Sequence, residues 1–332
     1  MIPRNSVRNQ PEKYFTNPAR LLKYLGLSIE QMPFSVPAMH SFHFKVPRSF
    51  ADKIEYNNPA DPLLLQIFPL QEELQSSPGY RQDPLEEARY LSQPGLLQKY
   101  HGRVLLVVTP SCAIHCRYCF RRHYPYQDKG HIASQLTNNL QQIQQDRTIE
   151  EVILSGGDPL SLSDSKLSVL FNELQSIKHL KRIRIHSRYP VVEPERISKP
   201  LLNILKQSRL QVIMVLHINH ASEIAADNQD VFSQLLQHRV LLFNQSVLLK
   251  GVNDSVSVLR NLSEILIKHH IIPYYLHMLD RVQGSAHFEV SDEAAMKLFS
   301  QLRAQLPGYM LPRLVRELPE EPAKMPLVLK EI

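Results

Sequence analysis

Cysteine is scarce in this chain: three in 332 residues, all between positions 112 and 119. An odd number crowded into eight residues is no disulfide framework. Thiols held for ligation suit a reducing compartment. Long apolar runs are also missing. No stretch approaches the roughly 20 apolar residues that span a bilayer, and the opening MIPRNSVRNQPEKYF lacks the apolar core of a secretion signal. We therefore expect a cytoplasmic protein with no membrane partner. There is no long basic block either. The 38 Lys and Arg against 32 Asp and Glu give a formal +6 scattered over amphipathic segments, which reads as a solvated surface and predicts no nucleic-acid partner. Hydrophobic residues make up 43%, enough for a full core, so disorder is not the expectation.

Residues 1 to about 100 are rich in proline. LLKYLGLS and DPLLLQIF have helical apolar spacing, while NNPADP and SSPGYRQDP interrupt it. From Arg103 the rhythm changes. Candidate strands are 103–109, 150–155, 182–187, 211–217, 240–248 and 272–278, separated by helical patterns such as SDSKLSVLFNELQSI and VSVLRNLSEILIKH. Apolar strands alternating with helices predict a parallel sheet covered on its faces. A doubly wound open sheet would carry a Gly-rich phosphate turn after its first strand, and none is present. The fold class expected is therefore α/β, a partial (β/α)6 barrel. Its expected parts are a mostly helical extension (1–100), a barrel domain (101–307) and a C-terminal segment (308–332).

The unusual polar residues cluster at strand ends. CAIHCRYC follows the first strand, SGGDP ends the second, HSRYP the third, HINH the fourth and HMLD the sixth, while NQS lies within the fifth. Barrel enzymes build their active sites there, so this distribution predicts an enzyme. In CAIHCRYC, Cys112, Cys116 and Cys119 can each hold one iron of a [4Fe–4S] cubane, leaving the fourth iron open to the amine and carboxylate of a small molecule. The competing ligand set is zinc on three cysteines plus His115 or His123; zinc ribbons, however, use paired CxxC knuckles. Gly156 and Gly157 let backbone approach a ligand closely, and Asp158 can accept from an ammonium.

The CxxxCxxC spacing, with an aromatic before the last Cys, resembles the signature of the radical S-adenosylmethionine superfamily. The stretches KYHGRVLLVVTPSCAIHCRYCFRR, ILSGGDPL, HSRYPVVEPERI, HINHASEI, NQSVLLKGVND and PYYLHMLDRVQGSAHF further resemble the lysine 2,3-aminomutase family, over about residues 90–326. The N-terminal FKVPRSFADKIEYNNPADPLLLQ and GYRQDPLEE look like the bacterial branch that supplies (R)-β-lysine for elongation factor P. The resemblance implies an isomerase with three cofactors: the [4Fe–4S] cluster, S-adenosyl-L-methionine and pyridoxal 5′-phosphate. It implies L-lysine as substrate, an electron donor such as flavodoxin or ferredoxin, a functional link to elongation factor P and its lysine ligase, and a homo-oligomer.

Residue by residue, the resemblance assigns Tyr118 to the adenine, and Gly156, Gly157 and Asp158 to the methionyl amine. Gln245 falls beside the nucleoside. Lys324 would carry pyridoxal phosphate, although position after a strand alone would have pointed to Lys250. Arg103 and Lys99 match residues that take the cofactor phosphate. Arg121 matches the group that binds the substrate carboxylate. Asp280 and Glu317 match the acids that hold the ε-ammonium. Two departures stand out. Glu317 is Asp in many lysine mutases, and Glu320-Glu321-Pro322-Ala323 replaces a glycine run before the lysine. With every cysteine in the cluster motif, no zinc site between subunits is expected. The competing readings are a radical enzyme without pyridoxal phosphate and a zinc-bearing nucleic-acid-binding protein. Replacing Cys112, Cys116 or Cys119 by Ala should abolish S-adenosylmethionine cleavage, because each is the protein ligand of one iron. Normal cleavage by any of the three variants, measured as deoxyadenosine release, would remove the cluster assignment.

Overall fold

The computed structural model describes residues 12–32, 34–125 and 132–327. In the proline-rich N-terminal part, proline starts the helices. Helix Pro18–Leu25 begins on a proline, with the Asn17 side chain accepting from the amides of Ala19 and Arg20. Pro62–Leu65 repeats this with Asp61 as its cap. Proline suits a first helical turn because its missing N–H would have had no partner there. A small antiparallel pair, β1 (Tyr14–Phe15) and β2 (Val46–Pro47), lies among these short helices.

The remaining strands form one ten-stranded sheet in chain order: β3 (Leu91–Gln93), β4 (Leu96–Leu97), β5 (Arg103–Thr109), β6 (Glu151–Gly156), β7 (Arg182–Ser187), β8 (Gln211–His217), β9 (Leu241–Val247), β10 (Ile272–His277), β11 (Arg313–Arg316) and β12 (Met325–Pro326). Strands β5 to β11 run parallel. The edges β3–β4 and β12 are antiparallel. Side chains from all seven parallel strands line one cavity, so the sheet is curled into a partial barrel with helices outside.

All six expected strands are present. A seventh parallel strand, β11, was not foreseen, since RLVR is short and has a cation at each end. The sheet begins at Leu91 and ends at Pro326, so both flanking segments contribute strands to it. The barrel strands are less uniformly apolar than expected. In β7, Ile183, Ile185 and Ser187 are buried, while Arg182, Arg184 and His186 alternate with them. Period-2 alternation sends the apolar set to the helices and the polar set inward. The interior is thereby left as a lined cavity.

The N-terminal part is packed into the barrel's own core. Phe50, Leu63, Leu64, Ile67 and Phe68 belong to the same buried cluster as Val104, Leu106 and Leu154. Polar ties reinforce the junction. Lys53 Nζ donates to the carbonyl of Val191 (2.7 Å), Asn228 Oδ1 (2.7 Å) and the carbonyl of Glu223 (3.0 Å). Arg117, fully buried, donates from Nε and Nη2 to both Glu73 oxygens (2.8 and 2.6 Å) and from Nη1 to the Phe42 carbonyl (2.7 Å). Arg122 Nη2 donates to the same carboxylate (2.7 Å). Removing one member of such a set strands a buried charge. Glu73→Ala should therefore lower unfolding free energy by roughly 3–5 kcal/mol, measured in urea. The exposed neighbour change Glu72→Ala should stay within about 0.5 kcal/mol.

Candidate active site

The cavity has a volume of about 480 Å³. Arg103 stands at the start of β5 and Cys112 just beyond its end. Along this wall the site thus runs the length of the strand, roughly 20 Å at the usual rise per residue.

At the strand ends lie the three thiols. Cys112, Cys116 and Cys119 all border the cavity and are free of disulfides. The paired glycines seat their loop. The Gly157 amide donates to the Thr109 carbonyl (2.7 Å), and that of Asp158 to the Ser111 carbonyl (2.8 Å). A Cβ at Gly156 would stand 2.4 Å from Thr109 O, and one at Gly157 the same distance from Ser111 O. Gly156 also has φ +125°, a conformation side chains resist. SGGDP thus lets the cysteine loop lie against β6. Burial pushes the Cys112 thiol well up and that of Cys119 to about 11; cationic irons would reverse this by favouring thiolates. Arg188 Nη1 donates to Cys116 Sγ (2.6 Å). The imidazoles of the zinc alternative face carbonyls: His115 Nδ1 meets that of His43 (2.7 Å) and His123 Nε2 that of Gln283 (3.1 Å). Among the described residues, no three His, Cys, Asp or Glu side chains close on a common point as a single-ion cage. Three thiols each serving a different iron need no such cage, so the donor set fits a cluster.

Tyr118 is buried beside the thiols. Its hydroxyl accepts from Asn219 Nδ2 (2.7 Å) and donates to Gln66 Oε1 (3.3 Å). Asp158 is already held by the Leu160 amide (3.0 Å), the Ser187 hydroxyl (2.8 Å) and the Arg188 amide (2.7 Å). Burial nevertheless raises it to about 6.

Further along the cavity are Lys99, Tyr100, Arg103, Tyr275, Arg313, Glu317 and Lys324. Lys324 Nζ donates to Glu317 Oε2 (2.5 Å), while Lys99 Nζ (2.6 Å) and the Tyr100 hydroxyl reach Oε1. Burial pushes Glu317 up, but Lys324, Lys99 and Tyr100 together hold it below the usual carboxylate range. Lys250 is exposed and outside the cavity lining. Its backbone amide donates to the Phe288 carbonyl (2.9 Å).

Arg121, Asp280 and Gln245 all face the cavity. The Gln245 amide contacts His217 Nε2 (2.5 Å). Arg121 makes a two-point contact with Glu87 and donates from Nη1 to Ser155 Oγ (2.8 Å). Sequence reasoning did not single out Glu87, Arg184, His186, His217 or His277. For the last four the inward parity of β7, β8 and β10 was the available signal; Glu87 had none. Burial holds His217 down at about 3 and His186 and His277 well below their ordinary value. All three are therefore neutral rings. Among the described residues the Nε2 atoms of His186 and His277 have no hydrogen-bond partner, as expected of groups kept for a ligand.

Residues 106–230 match the family model described as the Radical SAM superfamily. The chain is 44% identical over 316 residues to the L-lysine 2,3-aminomutase of Escherichia coli (strain K12), covering 95% of this chain and 92% of that protein. It is 42% identical over 331 residues to the protein of the same name from Haemophilus influenzae, covering 98% of each. To that from Clostridium subterminale it is 34% identical over 309 residues, covering 93% and 74%.

Burial raises Asp280 to about 7; Lys324 opposes the rise, whereas Glu317 and Glu87 reinforce it. A carboxyl whose folded pKa exceeds its unfolded 3.8 binds its proton more tightly in the folded state. Its stability contribution is complete at low pH and is lost as pH rises from about 4 towards 7. Between pH 4 and 8, ligand-free wild type should lose on the order of 4 kcal/mol relative to Asp280→Asn. Urea melts of both proteins across this range measure it, and parallel curves would show Asp280 ionised throughout.

Proposed function

The chain belongs to the lysine 2,3-aminomutase family of the radical S-adenosylmethionine superfamily, and we propose that it converts L-lysine to β-lysine with pyridoxal 5′-phosphate held on Lys324. The observation that carries this reading is a single cavity bringing together three free thiols, a lysine amine and two carboxylates. As a radical S-adenosylmethionine enzyme it uses a [4Fe–4S] cluster and S-adenosylmethionine. The cluster would rest on Cys112, Cys116 and Cys119, with Tyr118 against the adenine and Gln245 beside the nucleoside. Gly156, Gly157 and Asp158 would border the methionyl amine. Pyridoxal phosphate, when bound, would supply a conjugated ring able to delocalise an unpaired electron generated on a substrate carbon.

The protein's own residues hold the substrate at both ends. Arg121 takes the carboxylate of lysine through N–H donors. Asp280, with Glu317, takes the ε-ammonium. Two anchors on one extended substrate fix where its β-carbon lies, and small misplacements there cost much rate. The ammonium of Lys324 sits on Glu317. An ammonium therefore suits this acid end, and a second carboxylate, as in glutamate, would be repelled. Lys99 and Arg103 offer cations for the cofactor phosphate. The neutral imidazoles of His186, His217 and His277 line the wall without adding a competing charge. The product would serve modification of elongation factor P, working beside its lysine ligase. The enzyme would take electrons from a flavodoxin or ferredoxin, act in the cytoplasm and assemble as a homo-oligomer.

Wild type should convert L-lysine to β-lysine in preference to L-glutamate or L-alanine. Asp280→Asn should lower turnover roughly a hundred-fold or more while keeping its iron, since one buried partner is lost. Borohydride should fix the cofactor to Lys324, and Lys324→Ala should take no label. Preference for either control amino acid would overturn the cationic-substrate reading, and label on Lys250 would overturn the cofactor assignment.

A further inference from the structure

Arg121 is not presented to the cavity alone. Its Nε donates to Glu87 Oε2 at 2.8 Å and its Nη2 to Glu87 Oε1 at 2.6 Å, while Nη1 is bonded to Ser155 Oγ at 2.8 Å. Both side chains are nearly enclosed, Arg121 5% and Glu87 12% exposed, and both border the cavity. A buried ion pair contributes little to stability, because desolvation offsets most of its attraction. This one therefore calls for another role.

We propose that Glu87 is the positioning residue that fixes Arg121 to receive the carboxylate of the amino-acid substrate; this rests on the reading of Arg121 given above. An arginine reaching a carboxylate without support has several rotamers to choose from and loses that freedom on binding. Here a carboxylate on one edge and a hydroxyl on Nη1 lock the guanidinium plane before substrate arrives. Glu87 itself is held in place. Its amide donates to Asp83 Oδ1 (3.1 Å), and the preceding Glu86 has φ +50°, a left-handed turn that costs a non-glycine residue energy.

The same turn is strapped to the segment that carries Lys324. The Tyr90 hydroxyl donates to the Pro319 carbonyl, and Arg89 pairs with Glu320 (3.3 Å). The turn that orients Arg121 is thus joined to the tail that delivers Lys324. Glu87 has an electrostatic consequence too. It balances the guanidinium charge, so the anchor selects a carboxylate by directed hydrogen bonds more than by net positive potential.

The test compares L-lysine as substrate with L-lysinamide, which lacks the carboxylate, as competitor. It uses cluster-loaded, cofactor-loaded wild type, Glu87→Ala, Glu87→Gln, Arg121→Gln and the double variant Glu87→Ala/Arg121→Gln. Iron content and S-adenosylmethionine affinity are measured in each as controls on folding. Arg121→Gln should abolish the preference for lysine over lysinamide. Glu87→Ala should raise the KM for lysine about ten-fold or more, the scale of one charge-assisted hydrogen bond, and reduce that preference, with controls unchanged. Glu87→Gln, whose amide oxygen still accepts one N–H, should fall between. The double variant should be no worse than Arg121→Gln, because Glu87 acts through Arg121. If Arg121→Gln loses the preference but Glu87→Ala and Glu87→Gln keep it, or if the two effects add, Glu87 is not a positioning residue and the anchor reading stands. If Arg121→Gln keeps the preference, the anchor reading itself falls, and the proposal falls with it.

Discussion

Glu73 neutralises two buried guanidinium groups at once, and the placement of the cysteine loop depends on it. Arg117 lies between Cys116 and Tyr118 in sequence, and Arg122 follows Cys119 by three residues. Both donate to one carboxylate brought by the N-terminal part. Arg117 also donates to the carbonyls of Phe42 and Ala38. The loop buries Ala113, Ile114 and Tyr118, but apolar packing by itself is non-directional. Charge pairing inside the protein defines it, because a buried guanidinium tolerates few positions other than against its partner. The N-terminal part is therefore a piece of the active-site scaffold. Seen from the other side, the glycines of SGGDP complete the clamp by letting β6 approach the same loop.

Charge is distributed in the cavity with the same economy. Five cations of the cavity have an acid near them: Arg121 has Glu87, Arg184 has Glu151, Arg188 has Glu223, and Lys99 with Lys324 share Glu317. Burial carries Asp280 to about 7 against the pull of Lys324. On the function proposed above, a lysine substrate would bring the complementary charges, a carboxylate towards Arg121 and an ammonium towards Asp280. Histidines whose burial keeps them neutral also line this cavity. They give polar lining without disturbing the balance.

Several elements were legible from local pattern. The strand Arg103–Thr109 and the helix Asp164–Ser176 follow from runs of apolar residues at period 2 or 3.6, since burial of one face is decided locally. Helix Val256–Lys268 likewise follows from the apolar spacing of VSVLRNLSEILIKH, and in the structure Ser255 caps it. β11 was not legible. Four residues with arginine at each end bury little, and they form a strand only because β10 offers an open edge. The pairs β3–β4 and β12 were missed for the same reason. Glu87 was invisible for a different one. It is one acid in an acidic, proline-containing stretch, and its partner lies 34 positions away.

By itself, the sequence determined the chemistry available: three thiols at ligand spacing, an aromatic between them, a glycine pair one strand later, and a chain of alternating strands and helices. These are local properties, carried by residue type and spacing, and need no knowledge of what touches what. The tertiary structure decided which of the many scattered charges meet. It brought Lys324, Glu317, Lys99 and Tyr100 to one point, excluded Lys250 from the cavity, and set Glu87 against Arg121. Such pairings are non-local, and they depend on the curvature of the sheet and on two flanking segments folding back across it. Their physical worth comes from burial, which turns weak surface attractions into strict requirements for a partner.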